Sequence, residues 1–515
     1  MTTASENNKR IAKNTLFLYF RLMLTMFVSL FTSRVILNSL GVVDYGLNNV
    51  VAGVITLFAF LNNALGTATS RFLTFELGKG KGEQIKKTFC TAFNIHFCMA
   101  IIVVVFCETV GLWIVNNVLE IPSDRLFACN VIYQYVVVSA FLNITQVPLN
   151  ALIISHERMN IYAYIGISDA ILKLCIAYFI TISTFDKLIT LGTLNMLITI
   201  GMYIFYHVYC KQNFTEYNIA ISREKKLYKE MIGFSSWSLL GASATMLKNQ
   251  GINILINIFF GPVVNAANAI AYQVNNALVS FSNNFTTALN PQIIKSYAND
   301  DHERMKSLIF RGGKFSFFLL MILSIPILLE TNIILHLWLK NVPDYTVILT
   351  RLVIFLTLIE CFAVTVGISI QATGKIKNYQ IFVAGIYMLN FPITYIFYKL
   401  GLAPTAALIV SIVLAIINIF VRLHFLQKYL YIKPLDYLKD VLCVSAIVMA
   451  FSCIFPIIIH ILMNESIVRL LFIISITVLG SIFWIYLLGL QKDEKQKVKV
   501  FINNKLKRMN KKKSK

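Results

Sequence analysis

The feature that most constrains this chain is a succession of apolar stretches long enough to cross a lipid bilayer. A transmembrane helix needs about 20 mainly apolar residues. Only helices and closed barrels satisfy the backbone in lipid, and no stretch alternates at strand length. The sequence therefore predicts an all-α polytopic membrane protein with about 14 transmembrane helices, at 14–38, 45–70, 88–115, 126–153, 159–181, 188–209, 231–258, 263–289, 315–335, 346–371, 378–398, 402–421, 441–462 and 467–490.

Composition agrees with this reading and excludes several classes of protein. Only 14% of the 515 residues are charged, whereas a soluble protein of this size carries about 25%. An ordinary water-soluble enzyme, a disordered chain and a nucleic-acid-binding domain are therefore excluded. The first apolar run is too long for a signal-peptide core and is followed by no small-residue cleavage site, so we interpret it as a retained first span.

The basic residues predict the orientation of the spans. Segments on one side hold 36 of the 46 Lys and Arg residues, the alternate loops hold five, and five lie within spans. Basic residues concentrate on the cytoplasmic side, so both termini are expected in the cytoplasm. Residues 491–515 carry eleven basic and two acidic side chains. We expect this tail to lie against anionic lipids, and we expect no nucleic-acid partner.

The chain also matches itself at an offset of 220 residues. Residues 41–48 (GVVDYGLN) align with 261–268 (GPVVNAAN), and 156–160 (HERMN) align with 374–378 (GKIKN) at an offset of 218. The alignment pairs spans 1–6 with spans 7–12, as in transporters built from repeats of equal orientation. We therefore predict an N-terminal six-helix lobe (1–210), a cytoplasmic linker (211–230), a C-terminal six-helix lobe (231–425), helices 13 and 14 (437–490) and a basic tail (491–515).

Charged side chains inside the predicted spans each need an explanation, because burying a charge in hydrocarbon costs about 3 kcal/mol or more. The basic ones are Arg21, Arg34, Lys173, Lys248 and Arg351, and the acidic ones are Glu108, Asp169, Glu330 and Glu360. Asp169 and Lys173 are four residues apart and can neutralise each other on one helix face. Glu108, Glu330 and Arg351 lie near outer ends, where snorkelling to the interface is expected.

Spans 1, 2, 7 and 8 combine cations with amides and lack acids. Residues 7–43, 45–75 and 231–299 contain no Asp or Glu, although span 1 carries Arg21 and Arg34 and span 7 carries Lys248. The amides in spans 7 and 8 include Asn249, Asn253, Asn257, Asn268, Asn275 and Asn276. Such amides can join helices to one another, but beside cations in spans that lack acids we expect them to line a wet cavity that attracts an anion.

These features resemble one family of membrane proteins. Fourteen spans, a six-plus-six repeat, the turn 40–46 (LGVVDYG) and the stretch 288–298 (ALNPQIIKSYA) are similar to bacterial polysaccharide flippases of the Wzx type. Those flippases belong with the multidrug and toxin extrusion (MATE) transporters and the lipid II flippases. The resemblance implies two six-helix lobes arranged as a V around a central cavity that helices 1, 2, 7 and 8 face.

The resemblance also implies a substrate and roles for the residues above. The substrate would be an undecaprenyl-diphosphate-linked oligosaccharide repeat unit, flipped to the outer leaflet of the bacterial inner membrane for O-antigen or related surface polysaccharides. Polysaccharide polymerase and chain-length proteins would be partners. Diphosphate contact would come from Arg21 and Lys248, with Arg34 and Lys173 as further candidates. Asn249, Asn253 and Asn276 would solvate the sugars. No cofactor and no metal are expected.

Two other transporters remain possible. A cation-coupled multidrug exporter of the same superfamily would need membrane carboxylates, for which Asp169 and Glu360 are the coupling candidates. A lipid II flippase would share the anionic polyprenyl diphosphate.

A membrane enzyme such as a polysaccharide polymerase or ligase is disfavoured. Such enzymes need a sizeable outer loop, whereas the predicted outer loops have about ten residues, and the chain lacks HExxH, GxSxG and GxxxxGK[ST] motifs. None of the nine cysteines forms a CxxC pair, so we expect buried apolar thiols rather than disulfides or metal ligands.

Overall fold

The computed structural model describes residues 4–56, 59–80, 82–117, 121–339, 342–491 and 494–496. Every regular element within these residues is a helix, which confirms the predicted all-α membrane fold. Most of the basic tail predicted at 491–515 lies outside the described residues.

The α-helices are α1 (Ala4–Thr56), α2 (Ala59–Lys79), α3 (Gly82–Phe106), α4 (Leu112–Asn117), α5 (Leu126–Ser155), α6 (Met159–Ile182), α7 (Lys187–Asn213), α8 (Lys225–Ala298), α9 (His302–Leu329), α10 (Thr331–Leu339), α11 (Thr346–Ala372), α12 (Lys377–Met388), α13 (Asn390–Lys399), α14 (Ala406–Leu430), α15 (Pro434–Tyr437), α16 (Val444–Leu462) and α17 (Ile467–Trp484). Short π-helical segments extend α3, α15 and α17, at Cys107–Gly111, Leu438–Cys443 and Ile485–Gly489.

Eleven helical stretches among the described residues are long and apolar enough to cross a membrane. The predicted count of 14 is therefore approximate. The predicted spans at 45–70, 231–258 and 263–289 are not among the eleven, although their described residues are helical. The predicted span at 45–70 includes residues 57 and 58, which lie outside the described residues. The predicted spans at 231–258 and 263–289 are rich in Asn, Ser, Gly and Thr, which lowers their mean hydropathy below that of a helix surrounded by lipid.

Two long helices are each broken by one glycine at the repeat-related position. Gly41 breaks α1 with φ 78° and ψ 171°, and Gly261 breaks α8 with φ 78° and ψ −176°. Positive φ with extended ψ is open essentially to glycine alone. The two aligned segments thus share the sharp turn that the internal repeat predicts, and α1 and α8 each comprise two helices.

We expect Gly261→Ala to destabilise the fold by about 1–3 kcal/mol, because the backbone holds a conformation that L-residues rarely adopt. A Cβ at Gly261 meets no atom within 4 Å, so the effect comes from the backbone alone. Gly201→Ala is the matched control: that site is also open, but it lies within α7, where alanine stabilises by about 0.5–1 kcal/mol. The free energy of unfolding is measured in detergent for both variants. Equal values for the two would contradict the expectation.

The helices group into two compact units. Unit 1 comprises Met1–Gln250, Asn283–Met305 and Ile368–Met388, and unit 2 comprises Gly251–Ser282, Lys306–Gly367 and the described part of Leu389–Lys515. Unit 1 therefore contains segments from both sequence repeats. The lobe boundaries at 210 and 231 remain a prediction.

In unit 2 the C-terminal helices form hydrogen bonds with α9 and with Glu330, the residue that follows α9. Glu330 is fully buried and accepts hydrogen bonds from His460 Nδ1 and Arg469, both at 2.8 Å. The expectation that Glu330 snorkels to the interface is therefore wrong, because two cationic or polar partners from α16 and α17 reach it inside the protein. Near the middle of α9, buried Lys314 donates to the Gly489 carbonyl at 3.2 Å.

Candidate functional site

Arg21 projects from α1 onto α6, within unit 1. Its guanidinium lies over the ring of Tyr162, 4.4 Å from the centroid. A Cβ at Gly166, one turn further along α6, would collide with the guanidinium. Glycine at this position therefore leaves space for the Arg21 side chain. Arg21 is half-buried. Stacking on an aromatic face leaves the guanidinium N–H groups at its edge able to donate to an anion.

No carboxylate within the described residues lies at ion-pair distance from Arg21. The nearest candidate in sequence on α6 is Asp169, which instead accepts from Lys173 at 2.8 Å. Asp169 and Lys173 thus form the neutral pair that their spacing allows. Asp169 on the same helix neutralises the charge of Lys173. No carboxylate in the described part of the chain does the same for Arg21.

Arg34 occupies an exposed position on α1. It lies thirteen residues after Arg21, which is about 220° around a helix. The two arginines therefore face different directions along α1, as the spacing predicts.

Lys248 is buried, with 5% of its surface exposed. Its ammonium lies over the ring of Tyr387 on α12, 4.8 Å from the centroid. Lys248 and Arg21 both belong to unit 1 but lie against different helices.

The amides of α8 divide between two environments. Asn253 accepts from buried Asn268 at 2.7 Å, and buried Asn275 accepts from Thr357 on α11 at 2.7 Å. These amides join neighbouring helices, which was the alternative to lining a cavity. Asn249 is half-buried and Asn276 is exposed, so these two keep the surface that a substrate-binding role needs. Glu360 is half-buried on α11 in unit 2.

The sequence analysis missed Glu157, the acid at the centre of a polar cluster in unit 1. Glu157 lies in the α5–α6 turn with φ 59°, and its side chain is 1% exposed. Its carboxylate accepts from Lys295 at 2.8 Å and Gln292 at 2.5 Å, both on the last turns of α8. Its backbone carbonyl accepts from Asn14 on α1 at 3.2 Å. We call the contact of this turn with α8 the Glu157 clasp.

A second missed residue, Arg71 in the second half of α2, makes a similar contact. Its guanidinium donates to the carbonyls of Gln371 at 3.2 Å and Ala372 at 2.8 Å, at the end of α11. It also lies over the ring of Phe75 at 4.8 Å. Burial lowers the pKa of Arg71 to about 10, so it stays charged at neutral pH. We call this contact the Arg71 clasp.

The two clasps are related by the sequence repeat. In the Glu157 clasp, the turn after the fourth predicted span holds the end of the eighth. In the Arg71 clasp, the end of the tenth span is held by the end of the second. Glu157 lies in the segment 156–160, and Gln371 and Ala372 lie two to three residues before the aligned segment 374–378. This alignment was the only available signal for the clasps, because carbonyl acceptors and a partner 138 residues away leave no local pattern.

Among the described residues, no three His, Cys, Asp or Glu side chains are grouped so that they could hold a metal ion.

Comparison with known proteins gives a likeness in fold only. No protein-family model and no curated protein sequence matches the chain. Solved structures do match: a MATE transporter in complex with MaD3S has a TM-score of 0.70 at 13% identity, covering 82% of this chain and 97% of that one. An outward-facing multidrug resistance MATE transporter of the MOP superfamily has a TM-score of 0.70 at 14% identity, covering 82% and 98%.

The chain has the MATE transporter fold. A third structure with this fold, a MOP superfamily transporter from Pyrococcus furiosus Vc1, has a TM-score of 0.70 at 12% identity, covering 83% of this chain and 97% of that one. The match covers nearly the whole length of the three solved structures and 82–83% of this chain. The protein is a multi-pass membrane protein of a transporter fold.

Proposed function

We propose that the protein flips an undecaprenyl-diphosphate-linked oligosaccharide repeat unit from the cytoplasmic to the outer leaflet of the bacterial inner membrane, by alternating access. The observation that carries the proposal is Arg21. It is a half-buried cation on a membrane helix, it stacks on Tyr162, and no acid among the described residues pairs with it. A permanent charge within a membrane span is costly unless a counter-charge such as a bound anion compensates it.

The chemistry of the substrate explains the need for such a cation. A diphosphate and many sugar hydroxyls cannot enter hydrocarbon without losing their hydration. An arginine fork replaces that hydration with paired, charge-assisted hydrogen bonds to phosphate oxygens. In this proposal Arg21 and Lys248 contact the diphosphate, Asn249 and Asn276 contact sugars, and the polyprenyl tail stays in the bilayer.

The predicted spans 1 and 7 carry basic side chains and no acidic ones, which supports an anionic substrate. The multidrug resistance MATE transporter shares the fold, so an exporter of drugs is compatible with this chain. The Pyrococcus furiosus transporter is described as having a binding pocket of reverse polarity that suggests a different function. One fold thus accommodates pockets of either sign.

The second candidate function is a cation-coupled multidrug exporter, and Glu360 favours it. This half-buried acid on α11 is one coupling candidate. Asp169, the other, accepts a hydrogen bond from Lys173. A lipid II flippase would use the cationic site in the same way as the first proposal. Cytoplasmic termini and a partnership with polysaccharide polymerase and chain-length proteins belong to the flippase proposal.

Reconstitution into liposomes separates these functions. The purified protein is given a fluorescent undecaprenyl-diphosphate oligosaccharide, lipid II, or an organic drug cation, and a membrane-impermeant quencher reports which leaflet holds the label. We expect transfer of the oligosaccharide and no transfer of the drug cation. Transfer of the drug cation alone would identify the protein as a multidrug exporter. Transfer of lipid II alone would identify it as a lipid II flippase.

A further inference from the structure

A groove in unit 1 runs between two helices that belong to different sequence repeats. It has a volume of about 370 Å³ and is lined by α2, α3 and the first part of α8. Its lining on α3 runs from Asn94 to Ile102, and its lining on α8 runs from Tyr228 to Leu239, in each case on successive turns. At 1.5 Å per residue the groove is about 12–17 Å long.

The groove is polar at one end and apolar along the rest of its length. At the polar end, Asn94 donates to the Tyr228 hydroxyl at 2.9 Å and to the Ala220 carbonyl at 3.2 Å. Further along, the walls are formed by residues such as Ile95, Met99 and Ile102. Two serines, Ser235 and Ser236, also line the groove, and the Ser236 hydroxyl donates to the Ile232 carbonyl of its own helix. The interior therefore suits a hydrocarbon chain.

Positive charge surrounds the polar end. Six basic and three acidic side chains lie in 83–87 and 223–230. Lys87 and Glu224 pair at 3.0 Å across the junction of α3 with the linker. Lys225, one turn before Tyr228 on α8, is exposed. An anionic headgroup is attracted by this surplus, each nearby Lys or Arg contributing about 1 kcal/mol.

We propose that this groove binds one acyl chain of an anionic phospholipid, with its phosphate at Lys225. Its length of about 12–17 Å equals half of a hydrocarbon core of about 30 Å. A chain confined to one leaflet fits that length, whereas a polyprenyl chain is longer than the groove. The bound lipid joins α3 to α8 beside the contacts that the protein makes itself. This site is independent of the transported substrate.

Photo-crosslinking in nanodiscs tests the site with the full chain. The probe is phosphatidylglycerol with a diazirine in one acyl chain, and phosphatidylcholine with the same chain is the comparison. Peptide mass mapping compares 94–102 and 228–239 with the lipid-exposed face of α17. We expect phosphatidylglycerol to label the groove about five-fold more than α17, and phosphatidylcholine to label both alike.

Two adjacent residues provide a matched pair of variants. Ile102 and Ile101 are both exposed, but only Ile102 is among the residues that line the groove. Ile102→Trp is expected to remove the enrichment, and Ile101→Trp to retain it. Ser236→Trp fills the same groove from α8, which covers the case in which Ile102→Trp folds poorly. Lys225→Gln should reduce the preference for phosphatidylglycerol about five-fold.

Three outcomes would overturn the assignment. Equal labelling of the groove and α17 by phosphatidylglycerol means that bulk lipid alone covers the helices. Enrichment that survives both groove-filling variants places the lipid elsewhere. Enrichment that undecaprenyl phosphate removes, and an equal excess of unlabelled phosphatidylglycerol does not, assigns the groove to a polyprenyl chain.

Discussion

Arg21→Gln is expected to reduce the rate of oligosaccharide transfer in liposomes about 30- to 150-fold. The substitution removes charge-assisted hydrogen bonds to the diphosphate, which contribute about 2–3 kcal/mol. The side chain also loses its stacking on Tyr162, 4.4 Å away, which contributes about 1 kcal/mol to folding. Arg21→Lys keeps the charge but loses the planar fork, so we expect an intermediate rate. Single-turnover transfer of the labelled lipid measures all three proteins.

Arg34→Gln is the matched control for this prediction. It removes the same charge from the same helix, at an exposed position that faces away from Arg21. We expect its transfer rate to stay within about two-fold of the parent, since its guanidinium is free to reach water or headgroups. Unfolding of both variants in detergent separates loss of transport from loss of folding. A folded Arg21→Gln protein with full transfer would remove Arg21 from the binding site.

The fold was predictable from the sequence because its signals are local. Apolar runs and the distribution of basic residues predict membrane helices, and helices are what the structure contains. The match at an offset of 220 residues located Gly41 and Gly261, which adopt the same left-handed turn. The Asp169–Lys173 pair was equally accessible, because a spacing of four residues puts two side chains on one helix face.

The rest of the site depends on contacts that no local pattern encodes. Glu330 finds its partners in His460 and Arg469, which lie more than 100 residues further on. The asparagines of α8 look alike in the sequence, but Asn253 and Asn275 are bonded to other helices and Asn276 is exposed. Which amides join helices depends on what packs opposite each position, and tertiary structure decides that.

The second large effect concerns the Glu157 clasp, for which we expect Lys295→Met to lower the stability of the closed contact by about 3 kcal/mol. The substitution leaves the Glu157 carboxylate, 1% exposed, without its nearest cation, and breaking one partner of a buried pair typically costs about 3–5 kcal/mol. In the alternating access that we propose, we expect the contact between the α5–α6 turn and the end of α8 to open. Hydrogen exchange at 152–158 should therefore accelerate about 100-fold.

A second substitution distinguishes loss of the clasp from loss of folding. Glu157→Leu in the Lys295→Met background removes the remaining buried charge, and replacing a buried ion pair with apolar residues is often neutral or stabilising. Exchange at 152–158 should then return toward the parent rate. If the double variant exchanges as fast as the single one, the carboxylate is not the cause.

The repeat relationship extends this prediction to the Arg71 clasp. If the two clasps open together as one cytoplasmic-side gate, Lys295→Met should also accelerate exchange at 371–376, although Lys295 contributes nothing to the hydrogen bonds of Arg71 with Gln371 and Ala372. Coupling of distant elements requires a shared two-state change. An unchanged rate of hydrogen exchange at 371–376 would show that the two clasps open independently. Transport would then not depend on their joint opening.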